Sequence, residues 1–311
     1  MQFQTATQQT LEHGSIEYLL DMVETKMMAS VSANTTNVSL KSASARDAAS
    51  YHLRVGGQRV RARLALHAGL ALGISRADAV TIAASVELLH NASLVHDDIQ
   101  DHDHLRRGHQ AVWVQYGVNT AICTGDLLLS AAYAALCKLE DSRALPAMVL
   151  LVHERTATAI DGQCADLMAS AEIESDIASA ITRYQQIAIA KSGALLCLPI
   201  ELALLASGQA RYLTDARHAV EAFSIGYQIV DDLNDLQSDT GADPASSAFN
   251  IVSIYQASGS TDESIAAAKK IGQERLGAAI ESAARLPCEA GACLIDYACR
   301  LRQLLIEQHE R

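Results

Sequence analysis

The sequence predicts an all-α fold, a single helical bundle, and three observations carry that prediction. Half of the 311 residues are hydrophobic yet only 4% are aromatic, and Ala and Leu dominate, which is helix-forming chemistry with few strand formers. From about residue 59 onward, apolar residues recur at helical spacing in long segments, and no period-two alternation competes with them. Breaks are sparse: they fall at Gly73, Arg107-Gly108, Asp141-Ser142, Gly208 and the stretch SDTGADPASS, and none has the make-up of a linker between domains.

Residues 1–50 are weakly patterned, and SVSANTTNVSLKSASA is rich in small polar residues that disfavour a continuous helix. An opening helix and a loop, peripheral to the rest, are expected there. Residues 51–311 are expected to form one helical domain. Its helices are predicted near 59–72, 76–97, 119–138, 144–169, 176–206, 213–238, 247–257, 261–285 and 290–309.

The formal net charge of −12 argues against a nucleic-acid partner, because phosphate backbones are neutralised by clustered Lys and Arg. No uninterrupted apolar run reaches the eighteen or so residues of a membrane span, and the N-terminus lacks the charged-then-apolar order of a secretory signal. A soluble, cytoplasmic protein is expected. The seven cysteines form no CxxC pair and lie mostly in apolar stretches, so they are expected to be reduced and buried.

The chemistry is concentrated in two acidic clusters. In ELLHNASLVHDDIQDHDHLRRG, Asp97, Asp98 and Asp101 end an apolar helix, and their spacing turns the carboxylates toward one face. Like charges held this close repel unless a cation lies between them, and hard oxygen donors suit Mg2+ shared with a substrate phosphate. Arg106 and Arg107 follow with planar donors for the same phosphates. His96, His102, His104 and His109 raise a transition-metal alternative, but paired di-iron sites use Glu with Glu-x-x-His inside a bundle, and no such pair accompanies this segment. In GYQIVDDLNDLQSD, Asp231, Asp232 and Asp235 repeat the spacing at the end of a second apolar segment. Antiparallel helices would bring the two clusters to opposite walls of one cavity.

These residues resemble the trans-isoprenyl diphosphate synthase, or polyprenyl synthetase, family. The motifs GGQRVR, DDIQDHDHLRRG, TGDLLL, DGQCADL, KSGAL and GYQIVDDLND occur in the family's order and cover the chain from about Gly56 to Asp235. The resemblance implies an all-helical isoprenoid synthase fold with a central active-site cavity, usually a homodimer. It implies a Mg2+-dependent enzyme that condenses an allylic prenyl diphosphate with isopentenyl diphosphate. It further implies that Asp97, Asp98, Asp101, Asp231 and Asp235 bind Mg2+ and that Arg106 and Lys191 hold the allylic diphosphate. Gln58, Arg61, His90 and Arg107 match positions that hold isopentenyl diphosphate, and Ser192 and Gln228 match residues beside the developing carbocation.

The chain departs from the family at Gln58, where lysine is usual, at Ala62, where proline is usual, and in SDTGADPASSAFNIVS, which has no lysine. Gln58 brings hydrogen bonds but no charge. Either Arg54, Arg59, Arg61 and Arg63 compensate in an ordinary synthase, or the chain ionises a prenyl diphosphate without adding isopentenyl diphosphate, as terpene synthases do. A regulatory subunit of a heteromeric synthase is a third reading, which retention of both clusters disfavours. The resemblance also makes Ala92 and Ser93 the floor of the product pocket. Both are small, and with the uninterrupted DDIQD they point to a geranylgeranyl or longer product, which Tyr133 could close off lower down.

Overall fold

The computed structural model describes residues 15–32, 44–169, 176–238, 250–256 and 260–307, with the side chains of 235–238 outside that description. Its order is α1 (Ile16–Ser32), α2 (Ala45–Arg54), α3 (Val60–Ala71), α4 (Arg76–Gln100), β1 (Leu105–Arg106), β2 (His109–Gln110), α5 (Val112–Tyr116), α6 (Val118–Leu136) and α7 (Leu145–Ala169). There follow α8 (Ile177–Ala188), a π-helical turn (Ile189–Gly193), α9 (Ala194–Ala206), α10 (Leu213–Ser238), α11 (Ile251–Gln256), α12 (Thr261–Ala283) and α13 (Ala292–Glu307). The all-α prediction stands. Short 3-10 turns occupy Ala210–Tyr212 and Pro287–Glu289.

The helix starts are set by local chemistry. Ser75 accepts the N–H of Asp78 to open α4, and Ser260 with Glu263 forms a reciprocal capping box at α12. Ser44 and Asp47 form the same box at α2. That helix lies where a loop was expected, because the small polar run hides the cap that starts it. The hairpin was also missed. Arg107 and Gly108, with φ of 53° and 79°, supply the left-handed pair of a two-residue turn, and Arg106 pairs with His109 across it.

The chain divides into two compact units: residues 1–149 with 202–208, and residues 150–201 with 209–311. In the first, α4 is the central helix, packed by α1, α3 and α6. Val80, Ile82, Val86, Leu88 and Leu89 are buried along it. The helix α1, expected at the periphery, buries Leu19, Leu20, Val23, Met27 and Val31, because its apolar residues recur at helical spacing and line one face. In the second unit α10 packs on α12, which packs on α13. Glu201 there is fully buried and is gripped by Arg155 Nε at 2.7 Å, with Arg217 Nε at 3.5 Å.

One expectation is corrected, the burial of the cysteines. The continuous helical stretch Ile177–Ala206 is long and apolar enough to cross a membrane, although 78% of its most apolar window is buried within protein, as a core helix would be. Its polar Lys191 and Ser192 interrupt the apolar run without ending the helix. The cysteines form no disulfide with one another and are mostly not buried: Cys123, Cys137, Cys164, Cys288 and Cys299 are exposed, Cys293 is intermediate and Cys197 is buried. An apolar helical stretch still turns one face outward, and Cys123, Cys164 and Cys299 fall there, while Cys137 follows the end of α6 and Cys288 lies in the turn Pro287–Glu289.

Candidate active site

The first aspartate set closes α4. Asp101 is the C-cap residue, its N–H donating to Asp97 O at 2.8 Å. Asp97 is half-buried, Asp101 exposed and Asp98 fully buried. The Asp98 carboxylate is met by Arg106, which donates from Nε to Oδ1 at 2.7 Å and also through Nη2, and which reaches Asp103 Oδ2 at 3.1 Å. Two residues expected to act on separate partners are therefore paired with each other. The second oxygen, Oδ2, is buried without a hydrogen-bond partner. Burial raises the Asp98 pKa and the Arg106 guanidinium opposes that rise.

The hairpin positions Arg106, and Trp113 pins the hairpin by donating from Nε1 to Asp103 O at 2.8 Å, with the His104 ring 5.0 Å from its own. Just before Asp97 on α4, His96 reaches to α6, its Nε2 3.3 Å from Ile122 O and 3.8 Å from Asp126 Oδ1. Its imidazole rests where a side chain on Gly125 would sit, so the glycine of TGDLLL sets how closely α6 meets the end of α4.

The residues expected to hold isopentenyl diphosphate are in the same unit. Arg107 donates to Gly56 O, and a Cβ on Gly57 would lie 2.6 Å from Arg107 Cζ, so the paired glycines make room for this guanidinium. Gln58 is exposed, while Arg61 and His90 are half-buried. Burial, then the charges of Arg61 and Arg107, push the His90 pKa well below its ordinary value. His52 behaves likewise: it is buried and falls to about 4, through burial first and Arg107 second. Of the arginines expected to compensate for Gln58, Arg59 is buried against Glu24 and Glu87, and Arg63 pairs with Glu17 at 3.0 Å. Ala92 is buried and Ser93 half-buried, its Oγ donating to His90 O at 2.9 Å; Tyr133 is half-buried on α6.

In the second unit, the π-helical turn carries Lys191 and Ser192, both half-buried. The sequence showed one helix from 176 to 206. The wider turn arises where Gly162 of α7 lets the backbone of Ala190 and Lys191 approach, and where Gly193 abuts Ser224 Oγ; a Cβ there would meet it at 2.8 Å. Such turns recur at functional sites. Lys191 Nζ is 2.5 Å from Asp166 Oδ2.

Asp231 is half-buried and Asp232 buried. Oδ2 of Asp232 accepts from Tyr184 OH at 2.8 Å and from the N–H of Ile251 at 3.0 Å, and Oδ1 accepts from Gln228 Nε2 at 3.0 Å. Burial and then Asp232 raise the Tyr184 pKa, which keeps the phenol a donor. Sequence reasoning missed Tyr184, for which no local signal exists. The side chain of Asp235, like Asp239, Asp243 and most of the loop after them, lies outside the described residues.

Among the described residues no group of three or more His, Cys, Asp or Glu side chains forms a ready-made metal cage. The first set nonetheless fits Mg2+: its donors are hard oxygens, and Asp98 Oδ2 is an orphaned buried acceptor. Mg2+ commonly keeps waters and uses only one or two carboxylates beside substrate phosphates.

A family model described as Polyprenyl synthetase matches residues 42–279. The short chain isoprenyl diphosphate synthase of Methanothermobacter thermautotrophicus is 29% identical over 221 residues, 70% of this chain and 65% of that one. The farnesyl diphosphate synthase of Haemophilus influenzae is 27% identical over 237 residues, 71% of this chain and 76% of that one. The match thus spans just under two thirds of the first relative's length. Among solved structures, a geranylgeranyl pyrophosphate synthetase from the archaeon Geoglobus acetivorans aligns with a TM-score of 0.78 at 22% identity, covering 92% of this chain and 99% of that one, a likeness of fold.

Proposed function

The chain belongs to the polyprenyl synthetase family, and from that premise we propose that it is a trans-prenyltransferase joining an allylic prenyl diphosphate to isopentenyl diphosphate. The observation that carries the reading is the first aspartate set, in which a buried carboxylate clasped by Arg106 keeps one oxygen without a partner at the end of α4. Asp97, Asp98, Asp101, Asp231 and Asp235 are assigned to Mg2+. Bound Mg2+ supplies positive charge that stabilises the diphosphate as it departs.

The side chains then have distinct tasks. The allylic C–O bond breaks, the diphosphate leaves with the electron pair, and Arg106 and Lys191 stabilise that charge more in the transition state than before it. Each must loosen its present ion pair, to Asp98 or to Asp166, to do so. The double bond of isopentenyl diphosphate attacks the cation and a proton is lost, for which the released diphosphate suffices as base. Gln228 and Ser192 present neutral dipoles to the cation. Arg61, His90, Arg107 and Gln58 hold isopentenyl diphosphate, and a neutral His90 offers one donor and one acceptor.

Ala92 and Ser93, both small, support a geranylgeranyl or longer product. The exposed apolar Val118 and Ile122 on α6 give a homodimer a face to bury, and water-soluble diphosphate substrates suit the cytoplasm. The commitment of Arg59 and Arg63 to other carboxylates favours the second reading, a terpene synthase-like enzyme, because it leaves Gln58 without two of its expected substitutes. Incubation with Mg2+, farnesyl diphosphate and isopentenyl diphosphate separates the two. Mass spectrometry is expected to show longer prenyl diphosphates; hydrocarbons or alcohols formed equally well without isopentenyl diphosphate would establish the second reading.

A further inference from the structure

We propose that Glu87 and Arg59 are positioning residues that set the affinity for isopentenyl diphosphate, an inference that rests on the prenyltransferase reading. Neither is among the residues assigned to substrate or metal. Both are buried, at 2% and 7% exposure, so they act through the groups they hold.

Arg59 is the N-cap residue of α3 with a φ of 53°, a left-handed conformation that costs a non-glycine residue energy and persists only when its surroundings hold it. The guanidinium supplies that hold. Nε donates to Glu24 Oε1 at 3.2 Å on α1, Nη2 donates to Leu53 O at 3.3 Å at the end of α2, and Nη1 lies 3.6 Å from Glu87 Oε2 on α4. Three elements converge on one side chain.

Glu87 has a second task. Its Oε1 accepts the N–H of Ala62 at 2.9 Å. Arg59 itself makes no side-chain cap at α3, so a carboxylate from another helix satisfies that first-turn donor and places negative charge at the positive end of the helix. One carboxylate therefore fixes the residue that ends the Val55–Gln58 loop and also the turn that carries Arg61.

The loop passes the constraint on. Gly56 O accepts from Arg107, and Gly57 leaves space for the same guanidinium. The charge of Glu87 also attracts Arg107. His90 lies one turn beyond Glu87 on α4 and experiences the charges of Arg61, Arg107 and Arg59. All four residues assigned to isopentenyl diphosphate thus follow this one buried pair in the fold. If the pair merely stabilised the unit, breaking it would lower the amount of folded protein and leave the affinity of what remains unchanged.

The test uses the full chain with Glu87→Gln, which keeps an oxygen for the Ala62 amide but loses the charge facing Arg59. Arg59→Lys is the second variant, in case the first fails to fold. Asp141→Asn is the control, since it weakens only the exposed pair with Arg143 in the same unit. Calorimetric titration of isopentenyl diphosphate and steady-state kinetics are the readouts. Glu87→Gln and Arg59→Lys are expected to raise Kd and KM for isopentenyl diphosphate about tenfold, with KM for the allylic substrate and kcat within about twofold, and the control unchanged. If the unaltered protein neither binds nor consumes isopentenyl diphosphate, the prenyltransferase reading fails and this inference with it. If the unaltered protein does both and the variants keep its affinity, or lose kcat with both KM values unmoved, the reading stands and the inference is overturned.

Discussion

The two aspartate clusters share one spacing and solve one problem, a buried carboxylate beside a half-buried one, in different ways. Asp98 is neutralised by a charge: Arg106 takes one oxygen and leaves the other without a partner. Asp232 is held by neutral donors, and Tyr184, Gln228 and the Ile251 amide occupy both of its oxygens. The first arrangement keeps an acceptor in reserve, and the second is a closed bracket tying α8 and the start of α11 to α10. A DDxxD spacing therefore does not tell which carboxylate is a ligand and which is a strut. The company of each buried oxygen does.

The largest effect should come from removing the charged anchor. Arg106→Ala leaves Asp98 buried with neither oxygen paired, which is expected to cost about 3–5 kcal/mol, read by chemical denaturation. A loss under about 1 kcal/mol would mean that water reaches Asp98 and that the clusters are less different than described.

The first unit should also answer to pH through His52, which lies buried among arginines near this anchor. Its pKa falls from an ordinary 6.5 to about 4 in the folded state. The unfolded chain thus binds the proton first, so the stability contributed by neutral His52 is complete above pH 6.5 and is lost as pH falls toward 4. That loss is about 3 kcal/mol. His52→Gln should flatten the profile in this window, and an unchanged profile would place the titration elsewhere.

The smallest effect is expected at the neutral bracket. Tyr184→Phe removes one of three donors to Asp232 and should cost about 1–3 kcal/mol, less than Arg106→Ala because Gln228 and the Ile251 amide remain. If the two substitutions cost the same in denaturation, the contrast between charged and neutral anchoring does not hold.

Much of this was legible in the chain. The helices at 60–71, 145–169 and 213–238 fall within a residue or two of expectation, because an apolar period of 3.6 is written in neighbouring residues. Both aspartate sets were legible for the same reason. The helix at 45–54 was not, since its signal is a single capping box at its start, and neither was the hairpin, which is two residues long on each side. The π-helical turn under Lys191 was hidden because it depends on Gly162, nearly thirty residues away.

The sequence by itself determined where helices run, how the carboxylates are spaced and which family's motifs they belong to. Each of these is local, set by periodicity, capping and turn chemistry within a few residues. Only the tertiary structure decided that Asp98 and Asp232 are the buried members, that Arg106 holds one and Tyr184 the other, and that Arg59 and Arg63 are committed away from Gln58. Desolvation and hydrogen-bond satisfaction are properties of atoms brought together from distant segments, as with Tyr184 and Asp232, 48 residues apart, and no spacing along the chain encodes them.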